Sequence, residues 1–322
     1  MPCFVFITDT NYALPTRTAI RSLIANCGLD RFTIYVIGVD LNETDISSFD
    51  SFTDSKCRII IKSVSNEFDY LTATHLYVSK AALIKFSLAD ILIEEDKVLY
   101  LDSDILVLNE LKSLFDINID NYYGAAVLDM QAMVGKHEHI SIDITQYFNS
   151  GVMFLNLNKW RKDNIKEVLI KKKIAEDNVR FMDQNAFNRT LWPNMLYISP
   201  KYNYMHQNLS GYFTLTDIAV FYGMEKEEVE KTCEKPSILH LTSNQKPWNT
   251  PTLDTYGLWA RYTEPHDLLT VQKKLSEIVV KNYNYNYKKY LRYKILSKIT
   301  WGKVKERYVR KYQEMKKLRA FL

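Results

Sequence analysis

Residues 96–108 of this chain have the sequence DKVLYLDSDILVL. The four residues from Val98 to Leu101 are apolar, have the length of a buried strand and are bounded by charged residues. Asp102 and Asp104 come where this strand ends, and in open α/β sheets ligands bind outside the carboxyl ends of the strands. Two carboxylates at such a place suit a divalent cation whose shell is completed by phosphate oxygens. Because aspartate and serine are also common in turns, an ordinary turn is the alternative interpretation.

The composition is typical of a globular protein with a large core, since 47% of the 322 residues are hydrophobic and 25% are charged. This length allows one large domain, or one domain with an appendage. The four cysteines form no C-x-x-C pair, which argues against a disulfide framework or a zinc ribbon and suits a reducing cytosol. We expect residues 1–9 to form a first strand and no signal peptide, because no basic segment precedes their apolar run. No apolar run reaches the length of a membrane span, and no glycine-rich phosphate-binding fingerprint occurs.

The strands and helices that we predict from apolar periodicity alternate along the chain. Strands are predicted at residues 4–7, 32–37, 58–61, 98–101, 124–128, 148–157 and 237–241. One helix is predicted to end at residue 28, and two others are predicted to begin at residues 42 and 183. Two further helices are predicted over residues 79–93 and 158–173. This order predicts an α/β fold with a mainly parallel sheet that is wrapped by helices.

Polar clusters lie at the ends of several predicted strands. They comprise residues 8–12, 102–104, 149–151 and 183–184, and His240 with Lys246. Each has a structural alternative: a helix N-cap for Asn11 or Asp183, a β-bulge at residues 149–151, a hydrogen-bonded core histidine, or a solvated loop lysine. Because the clusters all lie at the edges of one predicted sheet, we favour a shared site.

In their order, these motifs resemble glycosyltransferase family 8, which includes bacterial lipopolysaccharide galactosyltransferases and glucosyltransferases. The resemblance covers about residues 3–265. It rests on TDTNY at residues 8–12, KVLYLDSDILV at 97–107, FNSGV at 148–152, NLNKW at 156–160, DQN at 183–185, HLT at 240–242 and KPW at 246–248. The resemblance implies a GT-A fold over residues 1–265, a UDP-sugar donor, Mn²⁺ and transfer with retention of anomeric configuration.

The resemblance also implies the residues that bind the metal and the nucleotide. Asp102, Asp104 and His240 match the family's metal ligands, and with two diphosphate oxygens they form a mixed shell that Mn²⁺ accepts readily. Nucleotide-binding positions are matched by Thr8, Asp9, Asn11, Tyr12, Ser103 and Lys246. In this interpretation Asp9 accepts from the uracil N–H, Tyr12 stacks on the ring, and Lys246 contacts a phosphate.

Residues around the donor sugar are matched by Asn149, Asp183 and Gln184. Since an amide is a poor nucleophile, Gln184 favours front-side attack through an ion-pair-like transition state. Three positions depart from the family pattern. Lys85 stands where a donor-contacting arginine is usual, Leu83 replaces an aromatic residue, and Ser243 replaces a glycine. Lys85 keeps the charge of the arginine but not its bidentate geometry, so sugar identity is the property most affected.

The charge is distributed unevenly along the chain. Residues 273–322 contain 16 Lys or Arg and three Glu, a net charge of +13, whereas the preceding residues carry −9. Seven tyrosines lie within residues 283–312, together with Trp301, and this basic aromatic composition is typical of segments that bind an anionic membrane surface. Helical spacing is shown by Tyr308, Tyr312, Met315 and Leu318. The alternatives are a solvated helical appendage and a nucleic-acid-binding segment, which the acidic body and the lack of a nucleic-acid motif disfavour.

The resulting hypothesis is an enzyme that moves galactose or glucose from its UDP-sugar to an oligosaccharide or a lipid-linked glycan, in lipopolysaccharide or other surface-glycan synthesis. We expect it in the cytoplasm, attached to the inner face of the membrane by a basic tail, residues 266–322. The competing hypothesis is a catalytically silent scaffold that binds a sugar nucleotide or a membrane with the same fold. We expect no nucleic-acid partner.

Overall fold

The computed structural model describes residues 1–64, 80–134, 143–174, 183–205, 213–242, 245–250, 255–281, 283–300 and 302–320. Its strands are β1 (Cys3–Asp9), β2 (Phe32–Val39), β3 (Cys57–Val64), β4 (Lys97–Leu101), β5 (Ile105–Val107), β6 (Gly124–Leu128), β7 (Phe148–Asn156), β8 (Met195–Tyr197), β9 (Tyr204–Met205) and β10 (Ile238–His240).

The α-helices are α1 (Ala13–Asn26), α2 (Glu43–Asp50), α3 (Leu88–Ile91), α4 (Lys112–Phe115), α5 (Leu157–Lys162), α6 (Ile165–Ile174), α7 (Gln184–Leu191), α8 (Leu215–Tyr222), α9 (Lys226–Glu234), α10 (Tyr256–Ala260), α11 (Pro265–Lys281), α12 (Tyr283–Ile299) and α13 (Gly302–Ala320). Short 3-10 helices span Lys80–Ser87, Met130–Val134, Ile144–Gln146 and Pro200–Tyr202. The predictions made for Ser79, Ser243 and Trp301 lie outside the described residues.

Within the described ranges, seven strands form the central sheet in the order β3-β2-β1-β4-β7-β6-β8. β1 pairs in parallel with β2 and β4, β2 with β3, and β6 with β8, whereas β7 is antiparallel to β4 and β6. Alternate residues of β1 pack into two apolar clusters, with Phe4 and Phe6 in one and Val5 and Ile7 in the other. The predicted α/β fold with a mainly parallel sheet is therefore confirmed.

The antiparallel direction of β7 explains why its first residues belong to the polar edge of the sheet. Because β7 runs against β4, it begins where β1 and β4 end, and the Asp102 N–H donates to the Gly151 carbonyl at 2.8 Å. The pairing of β6 with β7 shifts register between Ala126 and Leu128, which gives β7 extra residues there. The predicted β-bulge is thus confirmed, and it lies at the polar edge, as bulges beside active sites often do.

A second sheet of three strands has the order β5-β10-β9. β5 begins directly after Asp104, and β10 pairs with it in antiparallel fashion, so that His240 lies opposite Ile105. On its other side β10 is parallel to β9, where His240 lies opposite Met205. This register brings a histidine from late in the chain beside the aspartates that follow β4.

Several predicted helices have the expected ends. α1 ends before Gly28, whose φ of +70° is the left-handed conformation that glycine adopts easily, and Asn42 caps α2 by accepting from the Asp45 N–H. The helix predicted over residues 158–173 is two helices, since the backbone at Asn164 is left-handed.

The helix predicted over residues 79–93 differs most from the structure. It is a 3-10 helix over Lys80–Ser87, followed by the single turn of α3. Every residue from Leu83 to Ala89 is buried, with Leu83, Ile84 and Phe86 in the apolar core and Lys85 among them.

The chain divides into two compact units, Met1–His240 and Leu241–Leu322. In the second unit, α12 and α13 form a hairpin in which the rings of Tyr290 and Tyr312 and those of Tyr293 and Tyr308 lie 5.4 and 6.2 Å apart. No helix in the described ranges combines the length and the apolarity that crossing a bilayer requires. The domain boundary near residue 265 and the membrane role of the tail stay predictions.

Candidate active site

Three side chains of types that can ligate a metal meet at the polar edge of the central sheet. Carboxylate oxygens of Asp102 and Asp104 and a ring nitrogen of His240 all lie within 4.8 Å of one another. His240 Nε2 is 3.2 Å from Asp104 Oδ1 and 3.9 Å from Asp102 Oδ2. The acidic pair does occupy a turn, but a turn whose side chains converge on an imidazole. The structure therefore brings together the three predicted ligands.

The backbone of Gly151 approaches this cluster too closely for any side chain at this position. A Cβ atom here would lie 2.3 Å from His240 Cε1 and 2.7 Å from Asp102 Oδ2. Both distances are shorter than real Cβ contacts allow, so only glycine fits without displacing His240 or Asp102. The carboxylate oxygens and the ring nitrogen of the cluster are donors that fit a divalent cation.

Lys85 is buried between two of the predicted site carboxylates. Its Nζ lies 2.6 Å from Asp183 Oδ2 and 3.1 Å from Asp102 Oδ1. Burial lowers the pKa of Lys85, but the carboxylates of Asp102 and Asp183 raise it by more, so the pKa of this ammonium lies above its usual value. Lys85 is therefore charged at neutral pH and connects a predicted metal ligand, Asp102, to Asp183, which is predicted to lie at the donor sugar.

The Tyr100 hydroxyl binds the Asp102 oxygen that Lys85 also contacts. Its hydroxyl donates to Asp102 Oδ1 at 2.5 Å. Lys85 Nζ lies over the face of the Tyr100 ring, 4.7 Å from the ring centroid. Burial, and next the nearby Asp102 carboxylate, raise the pKa of Tyr100 well above its usual value. The phenol therefore stays protonated and continues to donate.

Asp183 occupies the N-cap position of α7, but its side chain makes no capping hydrogen bond. Its carboxylate accepts instead from Lys85 Nζ and, at 3.2 Å, from Ser150 Oγ. The capping alternative for Asp183 is therefore wrong, because the carboxylate is turned towards the bulge of β7.

A network of amides and one buried carboxylate surrounds the bulge. Gln184 Oε1 accepts from the Ser150 N–H at 3.1 Å and from Asn149 Nδ2 at 3.2 Å. Asp129 Oδ2 accepts from Asn149 Nδ2 at 3.2 Å and from Gln184 Nε2 at 3.1 Å. These contacts hold both amide side chains in single orientations beside Asp183.

The loop that follows β1 carries the predicted nucleotide residues. Asp9 Oδ1 accepts from the Tyr12 N–H at 3.0 Å, which makes Tyr12 the residue before α1 and shows that the N-cap alternative for Asn11 is wrong. Asn11 is exposed. Burial, and next the carboxylates of Asp104, Asp102 and Asp9, raise the pKa of Tyr12, so its phenol lies near the acidic cluster.

Buried hydroxyls connect this loop to the acidic turn. Thr16 Oγ1 donates to the Tyr12 carbonyl at 2.7 Å and lies 2.9 Å from Thr8 Oγ1 and 2.7 Å from Ser103 Oγ. The predicted residues Thr8 and Ser103 are thus brought together, through a threonine that sequence reasoning missed.

Lys246 belongs to the second unit. Its Nζ donates to the Leu241 carbonyl at 2.6 Å, and its N–H donates to Asn249 Oδ1 at 2.8 Å. Since the side chain is buried, the alternative of a solvated loop lysine is wrong. Its contact with a phosphate stays a prediction.

Asp129 and Asn203 are site residues that sequence reasoning also missed. Asp129 directly follows β6, so the strand-end rule that selected Asp9 and Asp102 would have found it. Asn203 Oδ1 lies 2.9 Å from His240 Nδ1, and His240 is indeed buried and hydrogen-bonded on this side. No motif in the sequence indicates Asn203, because its hydrogen-bond partner His240 lies 37 residues further along the chain.

Comparisons with known proteins agree with this geometry. The profile of glycosyl transferase family 8 matches residues 3–252. General stress protein A of Bacillus subtilis is 29% identical over 280 residues, covering 81% of this chain and 93% of that protein. A lipopolysaccharide 1,2-glucosyltransferase of Escherichia coli is 25% identical over 277 residues, covering 79% of this chain and 73% of that protein.

Among solved structures, the galactosyltransferase LgtC in complex with donor and acceptor sugar analogues has a TM-score of 0.69 at 21% identity, covering 84% of this chain and 99% of that chain. An active-site mutant of LgtC has a TM-score of 0.71 at 20% identity, with the same coverage. This likeness confirms the GT-A fold. Because the family profile spans most of the chain, the protein belongs to glycosyltransferase family 8.

Proposed function

We propose that this glycosyltransferase moves a hexose, galactose or glucose, from its UDP-sugar to an oligosaccharide or lipid-linked glycan in surface-glycan synthesis. The observation that carries the proposal is the cluster of Asp102, Asp104 and His240 beside the loop that contains Asp9 and Tyr12. The choice of the two sugars follows the named activities of relatives, a glucosyltransferase and a galactosyltransferase.

In this proposal Asp102, Asp104 and His240 hold Mn²⁺. A bound divalent cation neutralises the charge that develops on the leaving diphosphate. The chain contributes the orientation of the ligands. Lys85 and Tyr100 both engage Asp102 Oδ1, whereas Asp102 Oδ2 faces His240. Asp102 would therefore offer the metal mainly one oxygen.

The loop after β1 binds the uridine in this proposal. Asp9 would accept from the uracil N–H, in an orientation supported by the hydrogen bond from the Tyr12 N–H. Tyr12 would stack on the ring, and Thr8, Asn11 and Ser103 would contact the remainder of the nucleoside. Lys246 would contact a phosphate as a point charge.

The donor sugar would lie against Asn149, Asp183 and Gln184, with Lys85 nearby. We propose transfer with retention, which is what the resemblance to the family implies. Gln184 is a poor nucleophile, and Asp183 is already paired with the Lys85 ammonium. We therefore favour front-side attack by the acceptor hydroxyl, with Gln184 and Asn149 positioning the sugar.

The tail would attach the enzyme to the inner face of the membrane. Residues 273–322 carry +13, and each cation near an anionic leaflet contributes about 1 kcal/mol. The hairpin also exposes Leu291, Ile295 and Ile299 at four-residue spacing along α12. Since Tyr290 and Tyr293 pack against α13, these aliphatic side chains, more than the tyrosines, would enter the interface.

The test is Mn²⁺-dependent hydrolysis of a panel of UDP-sugars without acceptor, followed by NMR of the product anomer when a saccharide acceptor is present. We expect one UDP-hexose to be hydrolysed, activity to disappear in EDTA, and Asp104→Ala to be inactive. Asp50→Ala, the same change at an exposed aspartate that ends α2, should retain full activity.

Two results would count against the proposal. Full activity in EDTA or in Asp104→Ala would refute the metal assignment, and an inverted product would refute retention. The scaffold alternative predicts UDP-sugar binding, measured by calorimetry, with neither hydrolysis nor transfer. The complete set of predicted ligands argues for the enzyme.

A further inference from the structure

His240 has two ring nitrogens with different surroundings. Nε2 faces the carboxylates of Asp102 and Asp104, whereas Nδ1 lies 2.9 Å from Asn203 Oδ1. A neutral imidazole carries one proton, and only the nitrogen without it can coordinate a metal. His240 therefore serves as an Nε2 ligand only if its proton is on Nδ1.

The neighbouring amides determine where that proton lies. The backbone N–H of Gly151 can only donate, and it points at Asn149 Oδ1 from 3.0 Å. The other end of this amide, Asn149 Nδ2, lies 3.2 Å from Asp129 Oδ2, a carboxylate oxygen that accepts. Two independent neighbours thus give Asn149 the same orientation, with its oxygen towards Asn203.

The orientation of Asn203 follows from that of Asn149. Because Asn149 presents an oxygen, Asn203 donates to it through Nδ2 at 2.9 Å and turns its own oxygen to His240. Asn203 Oδ1 then accepts from His240 Nδ1–H. The three side chains are buried, Asn203 being 1% exposed, so a reversed amide would leave buried polar atoms facing like atoms. The carboxylates of Asp102 and Asp104 compete for the ring proton on the Nε2 side, and the Asn203 oxygen opposes them by accepting at Nδ1.

We propose that Asn203 is a positioning residue that keeps His240 in the Nδ1–H tautomer and thereby prepares Nε2 for the metal. This inference rests on the metal site of the proposed function and adds a link from that site to the sugar side. Asn149, which contacts Gln184, is hydrogen-bonded to Asn203, and Asn203 is hydrogen-bonded to His240. Hydrogen-bonded partners of this kind commonly change metal affinity by about 10–100-fold.

The first measurement is the tautomer of His240 in the metal-free full chain, by long-range ¹H–¹⁵N NMR of histidine rings at alkaline pH. The chain has six histidines, and the His240 signal is assigned by its absence in His240→Gln. We expect a larger fraction of the Nδ1–H tautomer in the wild type than in Asn203→Leu, in which only the carboxylates of Asp102 and Asp104 remain as acceptors for the ring. Equal fractions in the two proteins, or no Nδ1–H tautomer in the wild type, would overturn the inference.

The second measurement is Mn²⁺ affinity by calorimetry in the presence of UDP. Asn203→Leu should weaken binding by about 10–100-fold. Asn203→Asp keeps an oxygen for His240 Nδ1–H but sets its other oxygen against Asn149 Oδ1, so it should retain the Nδ1–H tautomer and more of the Mn²⁺ affinity than Asn203→Leu, at some cost in stability. If Asn203→Asp matches Asn203→Leu in both measurements, Asn203 has only a packing role. If Asn203→Leu does not fold, the inference is tested by the His240 tautomer of the wild type and by the tautomer and Mn²⁺ affinity of Asn203→Asp.

Asn156→Leu is the matched control, since Asn156 is a buried asparagine at the opposite end of β7. Its amide donates to the carbonyls of Ile119 and Asp120. This variant should lose stability but keep the wild-type tautomer and Mn²⁺ affinity. Failure of the wild type to bind Mn²⁺ would refute the proposed metal function, whereas the tautomer in the metal-free protein would still decide the role of Asn203.

Discussion

Lys85 shows how a departure from the family pattern changes the role of a residue. The resemblance places an arginine that contacts the donor sugar at this position. In this chain the ammonium lies between Asp102 and Asp183, at 3.1 and 2.6 Å. Its charge therefore offsets the repulsion between the two carboxylates and holds both of them in place.

We expect Lys85→Met to lower the free energy of unfolding by about 3–5 kcal/mol at neutral pH, because it leaves Asp102 and Asp183 without their buried counter-ion. The pKa of Lys85 is raised above the unfolded value of about 10.4, so its stabilisation is fully present below that pH. It is lost as the pH rises through the folded pKa. The difference between wild type and variant should thus shrink above about pH 10.4, as measured by urea unfolding.

Lys97→Met is the control for this prediction. Lys97 begins β4 and pairs with Asp120, whose side chain is 65% exposed, so its loss should cost less than about 1 kcal/mol at any pH. Equal effects of the two substitutions would show that the Lys85 pairs are no stronger than a surface ion pair.

At the scale of elements, the direction and bulge of β7 assemble the site. An antiparallel strand between parallel neighbours brings Asn149, Ser150 and Gly151 to the edge where Asp9 and Asp102 lie. A parallel strand would have placed the same residues at the opposite edge. The position of one strand in the sheet thus decides whether the predicted sugar residues reach the metal ligands.

Gly151→Ala tests this close approach. The added methyl would lie 2.3 Å from His240 Cε1, so either the ring or the bulge must move. We expect Mn²⁺ binding in calorimetry to fall by at least about 10-fold, while circular dichroism retains the wild-type α/β spectrum.

Gly257→Ala provides the comparison. Among the described residues, no atom outside the helix's own backbone lies within 4 Å of a Cβ at Gly257 in α10, so this change should leave Mn²⁺ binding intact. It should not destabilise the helix, since alanine is favoured over glycine in helices by about 1 kcal/mol. If Gly151→Ala kept the wild-type Mn²⁺ affinity, the backbone of the bulge would have shifted to accept the methyl group while His240 kept its position.

At the scale of the whole molecule, the proposed membrane attachment depends on charge and on exposed aliphatic side chains together. Lys288, Arg292 and Lys298 alternate along α12 with the exposed Leu291, Ile295 and Ile299. Electrostatic attraction weakens as salt shortens the Debye length, whereas apolar insertion does not.

We expect the full chain to co-sediment with anionic vesicles and not with zwitterionic ones. Replacing the three cations by Gln should weaken binding at low salt, because it lowers the charge of the tail from +13 to +10, and replacing the three aliphatic residues by Ser should remove most of the binding that survives high salt. Val220→Ser, at a side chain that is 77% exposed in the first unit, should change nothing. Equal binding of all variants would show that the tail is not the membrane anchor.

The sequence by itself determined the elements and the acidic turn. Strand β4, the helix end at Gly28 and the cap at Asn42 follow from apolar periodicity, a left-handed glycine and a side-chain hydrogen bond across three residues. Such signals are local and act over one or two turns of chain. The family motifs indicated which polar residues belong to one site. No local signal in the sequence specifies which of these residues are in contact.

Only the tertiary structure decided the partners of those residues. Lys85 meets Asp183 across 98 residues, Asn203 meets Asn149 across 54 and His240 across 37, and the tail tyrosines face one another across the hairpin. These contacts depend on strand order, on the register of β10 beside β5 and on the direction of β7. A pattern of residue types cannot specify them, because hydrogen-bond polarity and ion pairing are set by distance and orientation in space.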